Sequence, residues 1–132
     1  MKILIIDDDD ITRAMLRAAL EPVAGEIHEA SNGIDALRTA FERFPDVVIL
    51  DVMMPGVDGY EICYLIKTAP ALLRTHVIIL TSRDDAEGIS TGREALADAY
   101  LLKPFDPDLL LATIRSLAAS ERVPFPSGKG AS

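Results

Sequence analysis

The chain of 132 residues contains no tryptophan, and aromatic residues make up only 5% of it. Proteins that hold single-stranded nucleic acid do so by stacking bases on aromatic side chains, and that platform is missing. Positive charge is also scarce. Thirteen Lys and Arg stand against 21 Asp and Glu, a formal charge of −8 with a pI near 4.6. This balance argues against nonspecific binding of nucleic acid. Cys63 is the single cysteine, which excludes an internal disulfide and a cysteine-based metal site and makes a reducing cytoplasm the default compartment. No apolar run approaches the length of a bilayer span, and Met1-Lys2 leads directly into a strand pattern, not a signal peptide. The expectation is a cytoplasmic chain with no membrane contact and no direct nucleic-acid binding. What the chain does have is apolar content, 49% with a mean hydropathy of +0.23, enough for the core of one domain.

The most informative stretch is Val47-Val48-Ile49-Leu50-Asp51, followed by turn signals at Pro55-Gly56 and Asp58-Gly59. Four consecutive apolar, mostly β-branched residues read as a strand buried on both faces, as in a parallel sheet. Asp51 then stands at a strand's carboxyl end, where open α/β sheets bind ligands. Three further apolar runs end the same way: Lys2 to Ile6 in Asp7-Asp8-Asp9-Asp10, His76 to Leu80 in Thr81-Ser82, and Ala99 to Leu102 in Lys103-Pro104. Ile27 to Ala30 is a weaker strand.

Between these strands the apolar spacing becomes helical. Helices are expected over Ile11–Leu20, Ile34–Phe44, Tyr60–Thr68 and Asp84–Leu96, with a last one opened by Asp106-Pro107-Asp108. Their inward residues are read as Ile11, Met15, Leu16, Ala19 and Leu20; Ile34, Leu37, Ala40 and Phe41; Ile62, Leu65 and Ile66; and Leu110, Ile114 and Leu117. Gly88 and Gly92 make the fourth helix intrinsically poor, each costing up to about 1 kcal/mol against Ala. From Val123 the chain is rich in Pro, Gly and Ser and reads as a disordered tail or a truncated linker. Alternating strands and helices with short connections give an α/β fold, a doubly wound five-stranded parallel sheet with five helices.

In such a sheet the strand ends converge, so Asp7, Asp8, Asp51, Thr81 and Lys103 meet on one edge. Carboxylates about 4 Å apart repel by about 4 kcal/mol per pair at an effective dielectric near 20, so they call for a cation. A hard divalent ion with oxygen ligands, Mg²⁺ in particular, suits a site with few carboxylates. A phosphoryl group on Asp51 would be neutralised by that ion, by the Lys103 ammonium and by the Thr81 hydroxyl. Taken singly, each residue has a plainer explanation: a solvated acidic turn, a strand-end hydroxyl, a surface lysine. Their coincidence at four strand ends is what points to chemistry.

The runs KILIIDDDD, VVILDVMMPGVDGYE, VIILTS and AYLLKPF, in this order, resemble the receiver domain of two-component response regulators of the chemotaxis-Y type. The resemblance spans residues 1–121 and leaves 122–132 as the tail. It implies flavodoxin-like topology, with Asp51 as phosphoacceptor and Mg²⁺ held by Asp8, Asp51 and the backbone carbonyl of Met53, with Asp7 helping through water. It further implies Lys103 as the phosphate-pairing lysine, Thr81 as the switch hydroxyl, Tyr100 as the switch aromatic that follows it, and a cis bond at Pro104. The implied donor is a sensor histidine kinase or a histidine phosphotransfer protein. The implied output is a conformational change of the face formed by helix four, strand five and helix five, read by a downstream protein or effector domain. Such a domain catalyses its own phosphorylation and dephosphorylation and is not an ordinary enzyme. Ile11, Met54 and Pro55 are candidate donor contacts.

Some positions depart from the family pattern. Leu96 replaces a glycine that often ends helix four with positive φ. Ala99 and Thr113 stand where the dimerising subgroup carries charged partners, and Leu102 is unusually apolar, which favours an apolar partner on that face. Two rival functions remain: a receiver fold that binds partners without phosphorylation, and a haloacid dehalogenase-type phosphatase, whose nucleophile motif Asp8-x-Asp10-x-Thr12 imitates.

Overall fold

The strongest apolar runs become the centre of the sheet. In the computed structural model, which describes residues 1–128, the strands are β1 (Lys2–Ile6), β2 (Glu26–Ala30), β3 (Val47–Leu50), β4 (His76–Thr81) and β5 (Ala99–Leu102). Every residue of β3 is buried, and β4 is buried after its first residue, because both faces of these strands are covered by helices. The weak run Glu-Ile-His-Glu-Ala forms β2, an edge strand that can keep polar side chains. All pairings are parallel in the order β2-β1-β3-β4-β5, the flavodoxin-like arrangement. The chain winds outward in one direction to β2 and in the other through β3 to β5, so the switch point lies between β1 and β3.

The helices are α1 (Asp10–Leu20), α2 (Gly33–Arg43), α3 (Gly59–Thr68), α4 (Ala86–Glu94) and α5 (Pro107–Ala118), with a single 3-10 turn at Pro70–Leu72. Each starts on an acidic or amide side chain that accepts a backbone N–H of the first turn: Asp9, Asn32, Asp58, Asp85 and Asp106. One core layer joins the sheet to α1 and α5 through Leu16, Leu20, Leu110, Ile114 and Leu117. The other joins it to α2, α3 and α4 through Ala36, Ala40, Ile62, Ile66 and Ile89.

The inward stripes are narrower than their periodicity suggests. On α2, Ala36 and Ala40 make the contact, while Ile34 is 74% exposed and Phe41 is also exposed. Two alanines four residues apart let the helix approach the sheet closely, and the larger residues on either side are left at the rim. Ile11 (70% exposed) and Met15 on α1, and Leu65 on α3, are displaced from the core in the same way. The inward set of α5 is as expected. The two glycines of α4 are explained by packing. A Cβ on Gly92 would sit 2.8 Å from the Tyr100 ring, and one on Gly88 would sit 2.5 Å from Arg83. Helix propensity gives way there to close approach.

One expectation about the α4–β5–α5 side is corrected. Ala99 and Thr113 are both buried, Ala99 within the core layer and Thr113 with its hydroxyl donating to the Leu109 carbonyl at 2.8 Å, so neither decides the charge of the surface. Residues 122–128 carry no helix or strand. Among them, Val123 and Phe125 each pack against a core layer. Residues 129–132 lie outside the described residues.

Candidate functional site

The sheet ladder continues one residue past its strands and so fixes the polar edge. The Asp7 amide donates to the Ala30 carbonyl at 3.1 Å, Asp51 to Ile6 at 2.9 Å and Lys103 to Thr81 at 2.9 Å. Each side chain is therefore carried on backbone that is already hydrogen-bonded across the sheet. The Lys103-Pro104 peptide that follows is cis.

On this edge the Lys103 Nζ donates to Asp7 Oδ2 and to Asp51 Oδ2, both at 2.8 Å. Asp51 is 8% exposed. Its other oxygen, Oδ1, accepts from the Thr81 hydroxyl at 2.9 Å and from the Met53 amide at 2.9 Å. Asp7 is equally engaged, with Oδ1 accepting the Asp9 amide at 2.9 Å. Burial opposes the Lys103 ammonium, but its hydrogen bonds to Asp51 and Asp7 outweigh that penalty and hold its pKa above the ordinary lysine value.

Asp8, exposed beside this pair, completes a group with Asp7 and Asp51 in which one carboxylate oxygen of each lies within 4.8 Å of the others. Three oxygen donors this close, two of them buried, fit a hard divalent cation. The chain therefore presents an acidic pocket able to bind a metal ion. The fourth aspartate of the run belongs elsewhere: Asp10 pairs with Arg13 on α1, and Asp9 caps that helix. The hydrogen bond from Thr12 holds Asp9 below the usual carboxylate range. The imitation of a phosphatase nucleophile motif through Asp10 and Thr12 thus dissolves into helix capping. Met54, expected at the surface near this edge, is buried in the core, whereas Ile11 and Pro55 are exposed.

Tyr100 lies on β5, 1% exposed. Its hydroxyl donates to the Arg83 carbonyl at 2.7 Å and lies 3.3 Å from the Tyr60 hydroxyl. Burial and the Tyr60 hydroxyl raise its pKa. The Arg83 amide in turn reaches the Thr81 hydroxyl at 3.4 Å. A run of hydrogen bonds therefore links Asp51 through Thr81 and Arg83 to Tyr100. The sequence marks Arg83 only as a flank of the site, with Met53 and Ser82, and Tyr60 only as the start of the third helix. The guanidinium of Arg83 lies 5.5 Å over the Tyr60 ring and pairs with Asp85 at 3.0 Å, and the only prior signal was its position two residues after Thr81. No helix among the described residues is long and apolar enough to cross a membrane.

Residues 3–115 match the family described as response regulator receiver domain. The chain is 36% identical over 116 residues to protein PilG of Pseudomonas aeruginosa, an alignment covering 88% of this chain and 86% of PilG. It is 38% identical to the transcriptional regulatory protein ResD of Bacillus subtilis, where the same share of this chain covers 47% of the relative. It therefore spans most of PilG but about half of relatives such as ResD. A solved receiver domain of DrrB, activated with beryllofluoride, shares 37% identity and superposes with a TM-score of 0.81 over 89% of this chain and 97% of the other. With the acidic edge, the lysine bridge and the sheet order in place, the chain belongs to the response regulator receiver domains of two-component systems.

Proposed function

We propose that this domain is a cytoplasmic switch that takes a phosphoryl group onto Asp51 from the phosphohistidine of a sensor histidine kinase or a histidine phosphotransfer protein. An Asp51 carboxylate oxygen attacks phosphorus, the bond from phosphorus to the imidazole nitrogen breaks, and the imidazole leaves to regain a proton from solvent. Asp8, Asp51 and the Met53 carbonyl would hold Mg²⁺, with Asp7 acting through water. When bound, that ion neutralises phosphoryl charge. Lys103, already in contact with both buried carboxylates, turns its ammonium to a phosphoryl oxygen, and the Thr81 hydroxyl donates to another. Later attack of water on phosphorus releases inorganic phosphate and restores Asp51. The product of the domain is a conformation, since it acts only on its own aspartate.

One observation carries this reading: Asp51 is buried at the sheet's switch point with one oxygen on Lys103 and the other on Thr81. A carboxylate with a purely structural role needs no second carboxylate on the same ammonium. The displaced Thr81 and the inward Tyr100 would carry the change to the α4–β5–α5 face and to a downstream protein or effector domain. Ile11, exposed beside the acidic edge, and Pro55 are the contacts we assign to the donor.

The test is intact mass after incubation with acetyl phosphate and Mg²⁺. The expected outcome is one added phosphoryl group on the wild type, absent without Mg²⁺ and absent from Asp51→Asn. No added mass on a chain shown to bind Mg²⁺ would replace this function with a phosphorylation-independent binding module.

A further inference from the structure

The α4–β5 face has an occupant. Ser120 ends α5 in the left-handed conformation, φ 60°, with the Glu121 amide donating back to the Ser116 carbonyl at 2.9 Å, and the chain then turns across the molecule. Val123 packs on the core layer that holds α5. Phe125 reaches the opposite layer, its ring centroid 6.3 Å from that of Tyr100 and tilted by 38°. The Arg93 guanidinium of α4 lies 4.6 Å over the same ring. Further along, Gly128 approaches the start of α4 so closely that a Cβ there would sit 2.3 Å from the Ala86 Cα. Two prolines flank Phe125 and reduce the entropy lost when the segment is held extended.

We propose that residues 121–128 are an intramolecular ligand of the α4–β5 face whose docking is coupled to the chemistry at Asp51 through Tyr100. This rests on the function proposed above. The Tyr100 ring lies against Gly92 and neighbours Phe125, while its hydroxyl is tied through Arg83 and Thr81 to the Asp51 carboxylate. A phosphoryl group that draws on the Thr81 hydroxyl favours the inward phenol, and the docked segment favours the same position by filling the space outside it. Each event therefore strengthens the other, by the same factor in both directions. A protein that reads this face must displace the segment or present a similar proline-flanked aromatic residue to Arg93 and Tyr100.

The experiment uses the full chain and follows tryptic cleavage after the exposed Arg122 by mass spectrometry, since the protease acts on the undocked segment and its rate tracks that population. Mg²⁺ with beryllofluoride stands in for the phosphoryl group, and fluorine NMR of the same sample reports whether it is bound. Bound beryllofluoride is expected to slow cleavage roughly fivefold or more. Phe125→Ala should be cut rapidly in both conditions and bind beryllofluoride correspondingly more weakly. Arg93→Gln, which removes only the cation over the ring, should fall between them. Equal cleavage of wild type and Phe125→Ala would overturn the docking. A protected segment indifferent to bound beryllofluoride, or cut faster with it, would overturn the coupling. Failure of beryllofluoride to bind would count against the site at Asp51, and with it the coupling, while the Phe125→Ala comparison still decides the docking.

Discussion

Leu96 holds a backbone conformation that leucine resists. Its φ is 68°, and the amides of Leu96 and Ala97 donate to the Arg93 and Gly92 carbonyls at 3.0 and 3.1 Å, the double hydrogen bond with which a helix commonly ends on glycine. The side chain is 49% exposed, so little burial is recovered in exchange. The left-handed region costs a residue with a Cβ about 1–2 kcal/mol, and glycine gives back part of that gain through the larger entropy of its unfolded chain. Leu96→Gly is therefore expected to stabilise the domain by about 1 kcal/mol, raising Tm by a few degrees. Thermal unfolding of the two chains checks it, and an unchanged or lower Tm would contradict it. The position was legible because a glycine is usual there, and the buried acid pair because strand ends converge whatever their spacing. Tyr60 and the Arg83 carbonyl were not legible: a backbone acceptor is offered by every residue, and only the fold decides which one a phenol reaches.

At the level of elements, strands were easier to read than helix faces. A continuous apolar run at the centre of a parallel sheet has one reading, since both faces are covered. A helix with apolar residues over a wide arc has several, and on α1, α2 and α3 the sheet selects a narrower set than periodicity offers. Helix α4 shows the opposite case, poor in propensity yet placed close against Arg83 and Tyr100. Gly92→Ala measures what that placement costs. An exposed helix would gain about 1 kcal/mol from the change. Here the new methyl meets the Tyr100 ring at 2.8 Å, and that ring also neighbours Phe125, with centroids 6.3 Å apart. Overpacking of this kind costs about 1–3 kcal/mol. The expected result is a lower Tm together with faster tryptic cleavage after Arg122, as the ring pushes the terminal segment away. A higher Tm with unchanged cleavage would show that the ring yields freely and is not clamped.

For the whole molecule, folding gathers three carboxylates onto one edge against the single ammonium of Lys103. Unfolded, Asp51 lies tens of residues from the adjacent Asp7 and Asp8 and repels them little, so the net negative charge gathered on this edge counts against folding until a cation joins it. The lysine's own contribution is steady under ordinary conditions. Its folded pKa lies above the unfolded value, so the stabilisation it supplies is complete below about pH 10 and is lost only as pH rises through the folded pKa. Near neutral pH the variable left at this edge is the divalent ion. A ligand that binds only the native state stabilises it by RT ln(1 + [L]/Kd), about 1.4 kcal/mol at ten times Kd. For a domain of this size that corresponds to a rise in Tm of about 4–8 °C. Titration with Mg²⁺ at pH 7.5 and constant ionic strength should show this rise in the wild type and little of it in Asp8→Asn or Asp51→Asn. An equal rise in all three chains would mean that salt, and not a site built from these carboxylates, relieves the edge.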